Sequence, residues 1–195
     1  MPVLAIVLLL LIIAILVAIY FVFASFAWGA GYQPAPGRVV RRMLELGEVG
    51  PSDRVIDLGA GTGAIIFRAA RERGATAIGV ELEPIRIALL RLRRRFGRSA
   101  DRITILWRDI FAVDLRSATV VTAFLWPDAM ERLRPKFESE LAAGARVVSH
   151  WHPIPGWKPD AEDPQLRVYL YRMPPTRSDD GPMGTRGPGP RTPSR

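Results

Sequence analysis

A Gly-rich turn between two apolar segments constrains the fold of this chain more than any other feature. The sequence VIDLGAGTGAIIF, residues 55–67, is a short apolar run, then a turn containing Gly59, Gly61 and Gly63, then an apolar run with helical spacing. A turn of this kind joins a buried strand to the helix that packs on it. The stretch therefore predicts the first strand, loop and helix of an α/β sheet.

Strand and helix patterns alternate through the rest of the central region. Apolar periods predict six strands, which are RVIDLG, ATAIGVE, DRITILW, SATVVTAFLW, ARVVSHW and QLRVYLYRM. Gly and Pro stops predict three helices, AIIFRAARERG ended by Gly74, PIRIALLRLRRRF opened by Pro84 and DAMERLRPKFESELAAG ended by Gly144. Strands that alternate with helices form parallel sheets covered on both faces. We therefore expect a mostly parallel sheet with helices on both sides.

The first 30 residues predict a membrane anchor. Residues 3–28 contain no charged side chain, and about 20 apolar residues suffice to cross the hydrocarbon layer as a helix. A removable signal peptide is the alternative, but no Lys or Arg precedes the apolar run and the run is long. Arg38, Arg41 and Arg42 follow the segment, which predicts that the rest of the chain faces the cytoplasm.

The C-terminal residues, 174–195, have a different composition from the rest of the chain. They are mainly Pro, Gly, Ser, Thr and Arg, and such a segment buries too little apolar surface to offset its ordering entropy. We predict a disordered tail over residues 174–195. The single domain then extends over residues 31–173.

Composition excludes several kinds of chemistry. The chain has no Cys, which excludes disulfides, Cys-ligated zinc and thiol catalysis, and its two His residues are too few for a His-rich metal site. We therefore predict no metal. The formal net charge of +8 suits an anionic membrane surface or an acidic partner, and we expect no nucleic acid partner.

The Gly-rich turn fits two kinds of cofactor. Gly59, Gly61 and Ala64 satisfy the GxGxxG/A pattern of dinucleotide sites, while Gly59, Gly61 and Gly63 satisfy the GxGxG pattern of S-adenosylmethionine sites. Asp57 lies two residues before the first glycine, where its carboxylate would repel a pyrophosphate. S-adenosylmethionine has no phosphate and presents amino and sulfonium cations. Asp57 therefore favours S-adenosylmethionine over NAD.

Two further acids follow successive strands. Glu81 ends the second strand, where a carboxylate can accept hydrogen bonds from ribose hydroxyls, and Asp109 follows the third, where it could accept one from an adenine amino group. Each acid also has an ordinary alternative. Asp57 could cap the next helix, Glu81 could be a solvated strand end, and Asp109 could start a turn. Together, the three positions favour a nucleoside-containing methyl donor.

With these motifs in place, residues 32–173 resemble a known family, the class I S-adenosylmethionine-dependent protein-lysine methyltransferases. It includes small archaeal enzymes of broad specificity and membrane-anchored mitochondrial enzymes that modify the ATP synthase c-subunit and the adenine nucleotide translocase. The resemblance rests on YQPAP, VIDLGAGTG, GVELEP, FLWPDAMERLRPKFESEL and ARVVSHWHPIPGWKPD. It implies a Rossmann-like class I methyltransferase fold, preceded here by a single N-terminal transmembrane helix.

The resemblance also implies which residues contact the cofactor. Tyr32 and Pro34 would close over the methionine end of S-adenosylmethionine. Glu81 would hold the ribose, and Asp109 would approach the adenine. The floor of the site would be formed by Asp57, Gly59, Gly61 and Gly63.

Two parts of the sequence depart from the family pattern. The family usually has Thr at the position of Ala35, and its hydroxyl could bind the cofactor carboxylate. It usually has an acid, Gly and Arg where this chain has Thr62, Gly63 and Ala64. The acids at the strand ends are retained.

Aromatic residues follow the fourth and fifth strands and form a candidate acceptor pocket. A lysine acceptor must lose its charge, which desolvation favours, and aromatic faces can hold its ammonium by cation-π contact. The Phe-Leu-Trp-Pro sequence replaces the Asn/Asp-Pro-Pro-aromatic sequence of enzymes that methylate amide or ring nitrogens, which argues against such acceptors. The candidate pocket residues are Trp126, Pro127, His150, Trp151 and Trp157.

Several roles around this pocket stay open. Trp157 either lines it or packs the Pro-rich loop onto the sheet. His150 or His152 could accept a proton, and Asp128 is expected to cap a helix starting at Ala129. The arginines at 91, 93, 94, 95 and 98 are either a solvated helix face or a contact for anionic lipid or an acidic substrate.

Taken together, these features predict a membrane-tethered methyltransferase that uses S-adenosylmethionine to methylate protein lysine. The cofactor prediction rests on the Gly-rich turn and the acids, and the acceptor prediction rests on the aromatic residues and the resemblance. Two alternatives remain: methylation of a small or lipid-like molecule at the membrane, and a non-catalytic anchored binding module.

Overall fold

The structure is a computed structural model that describes residues 2–27 and 35–178. It contains five α-helices within these residues: α1 Pro2–Ala27, α2 Gly37–Leu46, α3 Ala64–Arg73, α4 Pro84–Phe96 and α5 Pro127–Glu140. Its seven strands are β1 Arg54–Leu58, β2 Thr76–Glu81, β3 Ile103–Trp107, β4 Val120–Ala123, β5 Arg146–His150, β6 Ala161–Asp163 and β7 Val168–Arg172.

The strands form one mostly parallel sheet in the order β3-β2-β1-β4-β5-β7-β6. Strands β1 to β5 are parallel to one another, whereas β7 is antiparallel to β5 and β6. The chain builds outward from β1 to β3 and then returns to place β4 on the other side of β1. The predicted Rossmann-like α/β fold is confirmed.

The two faces of the sheet bury separate cores. Side chains alternate along a strand, so Val55 of β1 packs with α2, α3 and α4 on one face, and Ile56 packs with α5 on the other. Because β1, β2, β4 and β5 are buried on both faces, their sequences are largely apolar. Asp57 and Thr122 are two of the polar side chains that are nevertheless buried within the sheet.

Local signals begin and end two of the helices as the sequence predicts. Gly63 precedes α3 with φ of +81°, and Gly74 follows it with φ of +69°, a left-handed conformation that glycine adopts without a Cβ clash. Pro84 opens α4, and the side chain of Glu83 accepts hydrogen bonds from the backbone N–H groups of Ile85 and Arg86 at 2.9 and 2.8 Å.

Helix α5 differs from the prediction at both ends. Asp128 is not its cap: the helix begins at Pro127, Trp126 is the capping residue, and no side chain caps it. Proline is favoured at a first helical position, which moves the start ahead of Asp128. The helix ends at Glu140, not at Gly144, because Leu141 leaves the helical conformation and packs into the core.

Two strand predictions also need correction. The predicted strand SATVVTAFLW is reduced to β4, Val120–Ala123, because only this part pairs with β1 and β5. Strand β6 was not predicted. It has only three residues, and its sequence AED carries no apolar alternation, so its pairing with β7 is the only sign of it.

The ordered domain extends beyond residue 173, which corrects the predicted start of the tail. Lys158 N–H donates to Thr176 O at 2.9 Å, and Ser178 N–H donates to Gly156 O at 3.2 Å. Arg177 also forms an ion pair with Glu138 at 3.0 Å. Backbone pairing of this kind needs no apolar side chains, so composition could not reveal it. The rest of the predicted tail, 179–195, lies outside the described residues.

The predicted N-terminal anchor coincides with helix α1. Large apolar side chains between positions 4 and 19 are 46% to 62% exposed. The predicted helix is present, but across residues 2–27 and 35–178 no helix qualifies as a membrane span.

We expect Gly63→Ala to destabilise the fold more than Gly144→Ala. The two glycines have nearly the same φ, +81° and +83°, so the backbone strain of about 1 kcal/mol is common to both variants. A Cβ at Gly63 would lie 2.6 Å from Phe67 and 2.7 Å from Leu90, whereas at Gly144 nothing lies within 4 Å. Overpacking should add about 1 to 3 kcal/mol to the loss at Gly63.

Urea unfolding of both variants measures this difference. Equal losses of unfolding free energy would contradict the tight packing of Phe67 and Leu90 around the turn.

Candidate active site

The site lies where the parallel strands end together. Strand β1 has β2 on one side and β4 on the other, and the chain reverses its order of construction between β1 and β4. In such sheets, ligands bind outside the carboxyl ends of the strands at this switch point. Asp57, Glu81, Asp109, Trp126 and Trp151 all lie at or just after strand ends on this edge.

Asp57 is a buried acid at the centre of the edge. Its register partner in β4 is Thr122, whose hydroxyl donates to Asp57 Oδ1 at 2.7 Å. Burial raises the pKa of the Asp57 carboxyl to about 7; the Thr122 hydrogen bond opposes this shift, and the charge of Glu81 adds to it. Gly63, not Asp57, is the capping residue of α3. Asp57 is therefore an acid that a nearby cation would keep ionised.

The Gly-rich loop directs its backbone donors into the protein. The N–H groups of Gly59 and Ala60 both donate to Val80 O, at 3.0 and 2.9 Å, and that of Gly63 donates to Ala60 O at 2.7 Å. Gly61 N–H donates to Glu81 Oε2 at 2.8 Å. A dinucleotide site uses such N–H groups to hold a pyrophosphate. Four of them are already bonded here, which favours a ligand without phosphate.

Glu81 is a buried and oriented carboxylate, not a solvated strand end. Besides the Gly61 bond, its Oε1 accepts from the N–H groups of Leu82 and Glu83, both at 3.0 Å. The buried Arg86 lies 3.9 Å from the same carboxylate and offsets part of its charge. A carboxylate has about four acceptor positions, so one remains for a ribose hydroxyl.

Asp109 is the most exposed of the three acids. Its Oδ1 accepts from Phe111 N–H at 3.0 Å, so it starts a turn after β3. Trp107, the register partner of Glu81, is exposed beside it and donates its indole N–H to Leu82 O at 3.0 Å. Sequence reasoning missed Trp107 and Thr122 as site residues. A Trp at the end of one strand and a Thr inside the apolar run of another were the available signals.

The predicted acceptor residues Trp126 and Pro127 open α5 at this edge. Trp126 is 53% exposed, and its ring lies 5.6 Å from that of His152. Burial lowers the pKa of His152 below its ordinary value, and Arg167 adds to this effect. A neutral imidazole therefore lies beside an open aromatic face.

His150 and Trp151 lie at the end of β5. The ring of His150 is 4.4 Å from Phe124, and burial lowers its pKa. Its Nδ1 lies 3.1 Å from the carbonyl of Arg167, so Nδ1 is the donor and Nε2 is left as the acceptor. The Arg167 guanidinium covers the Trp151 ring at 4.4 Å, so one aromatic face already holds a cation.

Trp157 is a core residue. It is 3% exposed, its ring lies 6.2 Å from Phe137 and 5.7 Å from Tyr171, and its indole N–H donates to Glu138 at 3.1 Å. Trp157 therefore packs the Pro-rich loop onto the sheet, which is one of the two roles predicted for it, and does not line an open pocket. The predicted cofactor contacts Tyr32 and Pro34 lie outside the described residues.

Comparison with known proteins identifies a family to which this chain is similar. The family described as "ANTKMT methyltransferase domain" matches residues 57–161. A "Protein-lysine N-methyltransferase" from Saccharolobus islandicus is 44% identical over 72% of the chain and 91% of its own length. A mouse "Adenine nucleotide translocase lysine N-methyltransferase" is 37% identical, over 67% of the chain but 56% of its own length.

A solved structure agrees with the fold. A protein titled an RNA methyltransferase from Salinibacter ruber, in complex with S-adenosyl-L-homocysteine, has a TM-score of 0.72 and 37% identity. The match covers 76% of this chain and 98% of the solved one. The predicted family and the predicted preference for S-adenosylmethionine are thereby confirmed. The family match, together with 44% identity over 91% of the length of the archaeal enzyme, shows that the chain belongs to the family of the ANTKMT methyltransferase domain.

Proposed function

We propose that this chain transfers a methyl group from S-adenosylmethionine to the amine of protein lysine side chains. The observation that supports S-adenosylmethionine as the methyl donor is the buried Asp57 next to a loop in which four N–H groups are already bonded. That arrangement suits a cationic ligand without phosphate. Relatives named protein-lysine N-methyltransferases support lysine as the acceptor.

The protein's main task in this reaction is alignment. When bound, S-adenosylmethionine supplies an electrophilic methyl group on a sulfonium. Asp57 and Glu81, oriented by Thr122 and Gly61, would hold the cationic and ribose ends of the donor. Alignment of donor and acceptor can account for a large part of a rate enhancement without a strong base.

The acceptor side supplies an aromatic wall and a neutral imidazole. The Trp126 face can hold a lysine ammonium by cation-π contact before the proton leaves. His152 lies 5.6 Å away, ring to ring, and its lowered pKa leaves it neutral near pH 7, so its free nitrogen can accept that proton. Trp151 is less suited because Arg167 already occupies one face.

We also propose that α1 attaches the enzyme to a membrane with the domain on the cytoplasmic side. Its apolar side chains between positions 4 and 19 are exposed, and a large exposed apolar surface marks a membrane or protein contact. The basic residues Arg38, Arg41 and Arg42 follow it, and such residues are attracted to the anionic lipids of the cytoplasmic leaflet. Such attachment would favour acceptors on membrane proteins.

Transfer of tritium from labelled S-adenosylmethionine tests the proposed acceptor. The full chain is incubated with a membrane fraction, which is then separated into protein, lipid and RNA. We expect the label in protein, recovered as methyl-lysine after acid hydrolysis. Asp57→Asn should lower kcat/KM by about 10- to 100-fold, because a hydrogen bond to a charged group contributes about 1.5 to 3 kcal/mol. Label in lipid or RNA would instead identify a different acceptor and overturn the lysine proposal.

The variants Trp126→Leu and Trp157→Leu separate function from stability. Trp126→Leu should lower kcat/KM about tenfold and leave the free energy of unfolding unchanged, because it removes an exposed aromatic face. Trp157→Leu should lower that free energy by at least about 2 kcal/mol, because it leaves a cavity in the core. Full activity in Trp126→Leu would exclude its role in acceptor binding.

A further inference from the structure

Helix α4 presents a row of large apolar side chains to solvent. Ile85, Leu89, Leu92 and Phe96 are 37% to 79% exposed. Their spacing of four, three and four residues places them along one face of the helix. The opposite face, with Ile87 and Leu90, packs against the sheet. The outer face therefore exposes an apolar stripe.

Arginines flank this stripe. Residues 84–98 contain six arginines and no acid. A groove of about 530 Å³ on this face is lined by Ala88, Arg91, Leu92, Arg94, Arg95 and Ala100. Within the described part of the chain, Arg91, Arg94 and Arg95 form no ion pair.

Helix α3, on the same side of the sheet, shows the usual alternative. Its Arg68 and Arg71 both pair with Glu72, at 3.1 and 2.9 Å, and its large apolar side chains are buried. An arginine-bearing helix of this domain can therefore neutralise its charge locally and keep its apolar face inside. Helix α4 does neither on its outer face.

We infer that the outer face of α4 docks on an anionic lipid surface. Arginine pairs well with lipid phosphate, and an amphipathic helix with basic and apolar residues lies in the plane of the membrane interface. An acidic protein would complement the arginines alone, whereas the lipid interface also accommodates the stripe from Ile85 to Phe96. This docking rests on the proposed attachment through α1 only in that α1 brings a membrane near.

Docking by α4 would place the active site beside the lipid surface. The helix begins at Pro84, three residues after Glu81, at the carboxyl edge of the sheet. When α4 lies on the membrane, this edge stands next to the surface. Acceptor lysines close to the lipid headgroups would then be within reach.

A single fluorescent label on α4 in the full chain tests this docking. The chain has no Cys, so Leu92→Cys gives one site for an environment-sensitive dye. The matched control is Ser139→Cys, which is exposed on α5 on the opposite face of the sheet. Each protein is mixed with vesicles of phosphatidylcholine alone or with phosphatidylserine, and emission and acrylamide quenching are recorded.

We expect a blue shift and protection from quenching at position 92 only with phosphatidylserine, and no change at position 139. Arg91→Gln combined with Arg95→Gln should reverse the shift, since each arginine near an anionic surface changes the docking equilibrium about fivefold. The variant Arg54→Gln with Arg132→Gln, of equal charge change on other surfaces, should retain it. Unaltered binding of S-adenosylmethionine verifies that the variants are folded.

Three results would overturn the inference. One is the absence of an emission shift at position 92 with either kind of vesicle. Another is an equal shift with both kinds of vesicle that the Arg91→Gln, Arg95→Gln variant retains. The third is a shift on adding polyglutamate to neutral vesicles but none with phosphatidylserine, which would identify an acidic protein as the partner. Vesicle flotation reports α1 separately: protein that fails to float with neutral vesicles refutes attachment through α1, while the dye still reports α4.

Discussion

The burial of a carboxyl group in the central strand governs the arrangement of the whole site. Asp57 lies in β1 with strands on both sides and gains one hydrogen bond, from Thr122. Burial raises the pKa of this carboxyl to about 7, because a single hydrogen bond does little to stabilise the ionised form. Its ionised form is stabilised when a ligand brings a positive charge. The same desolvation that costs stability in the free protein therefore creates selectivity for a cation.

The loop above Asp57 strengthens this selectivity. The N–H groups of Gly59, Ala60 and Gly63 donate to backbone carbonyls of the protein, and that of Gly61 donates to the Glu81 carboxylate. Glu81 thereby connects the end of β2 to the loop and is itself fixed. A loop organised in this way presents a fixed carboxylate to a ligand and has few free N–H groups with which to bind an anion. The GxGxG turn and the two acids work as one unit.

How much of the site could be predicted depended on how local each signal was. Asp57, Glu81 and the glycines lie within short stretches where an apolar strand meets a turn, so their positions follow from the sequence. Which N–H groups of the loop are already bonded within the protein depends on contacts between the loop after β1 and strand β2. No local sequence pattern encodes those contacts. Trp157 became a core residue only through Phe137 and Tyr171, which come from other elements.

The fold shows the same division. Gly74 and Pro84 set helix ends through their own backbone preferences, so these boundaries could be predicted. Strand β6 and the pairing of Thr176 with Lys158 rest on backbone hydrogen bonds between distant segments, which side-chain patterns do not record. The end of α5 at Glu140 is set by packing of Leu141, again a tertiary effect.

Proton release on cofactor binding tests the central account most directly. Free Asp57 has a pKa of about 7, and a bound cation lowers it, so the protein should release a proton when S-adenosylmethionine binds just below pH 7. Titration calorimetry of the full chain in two buffers of different ionisation enthalpy measures this. We predict proton release, affinity that increases as the pH rises through 7, no release in Asp57→Asn and no binding of NAD. Binding without proton release, or equal binding of NAD, would contradict the account.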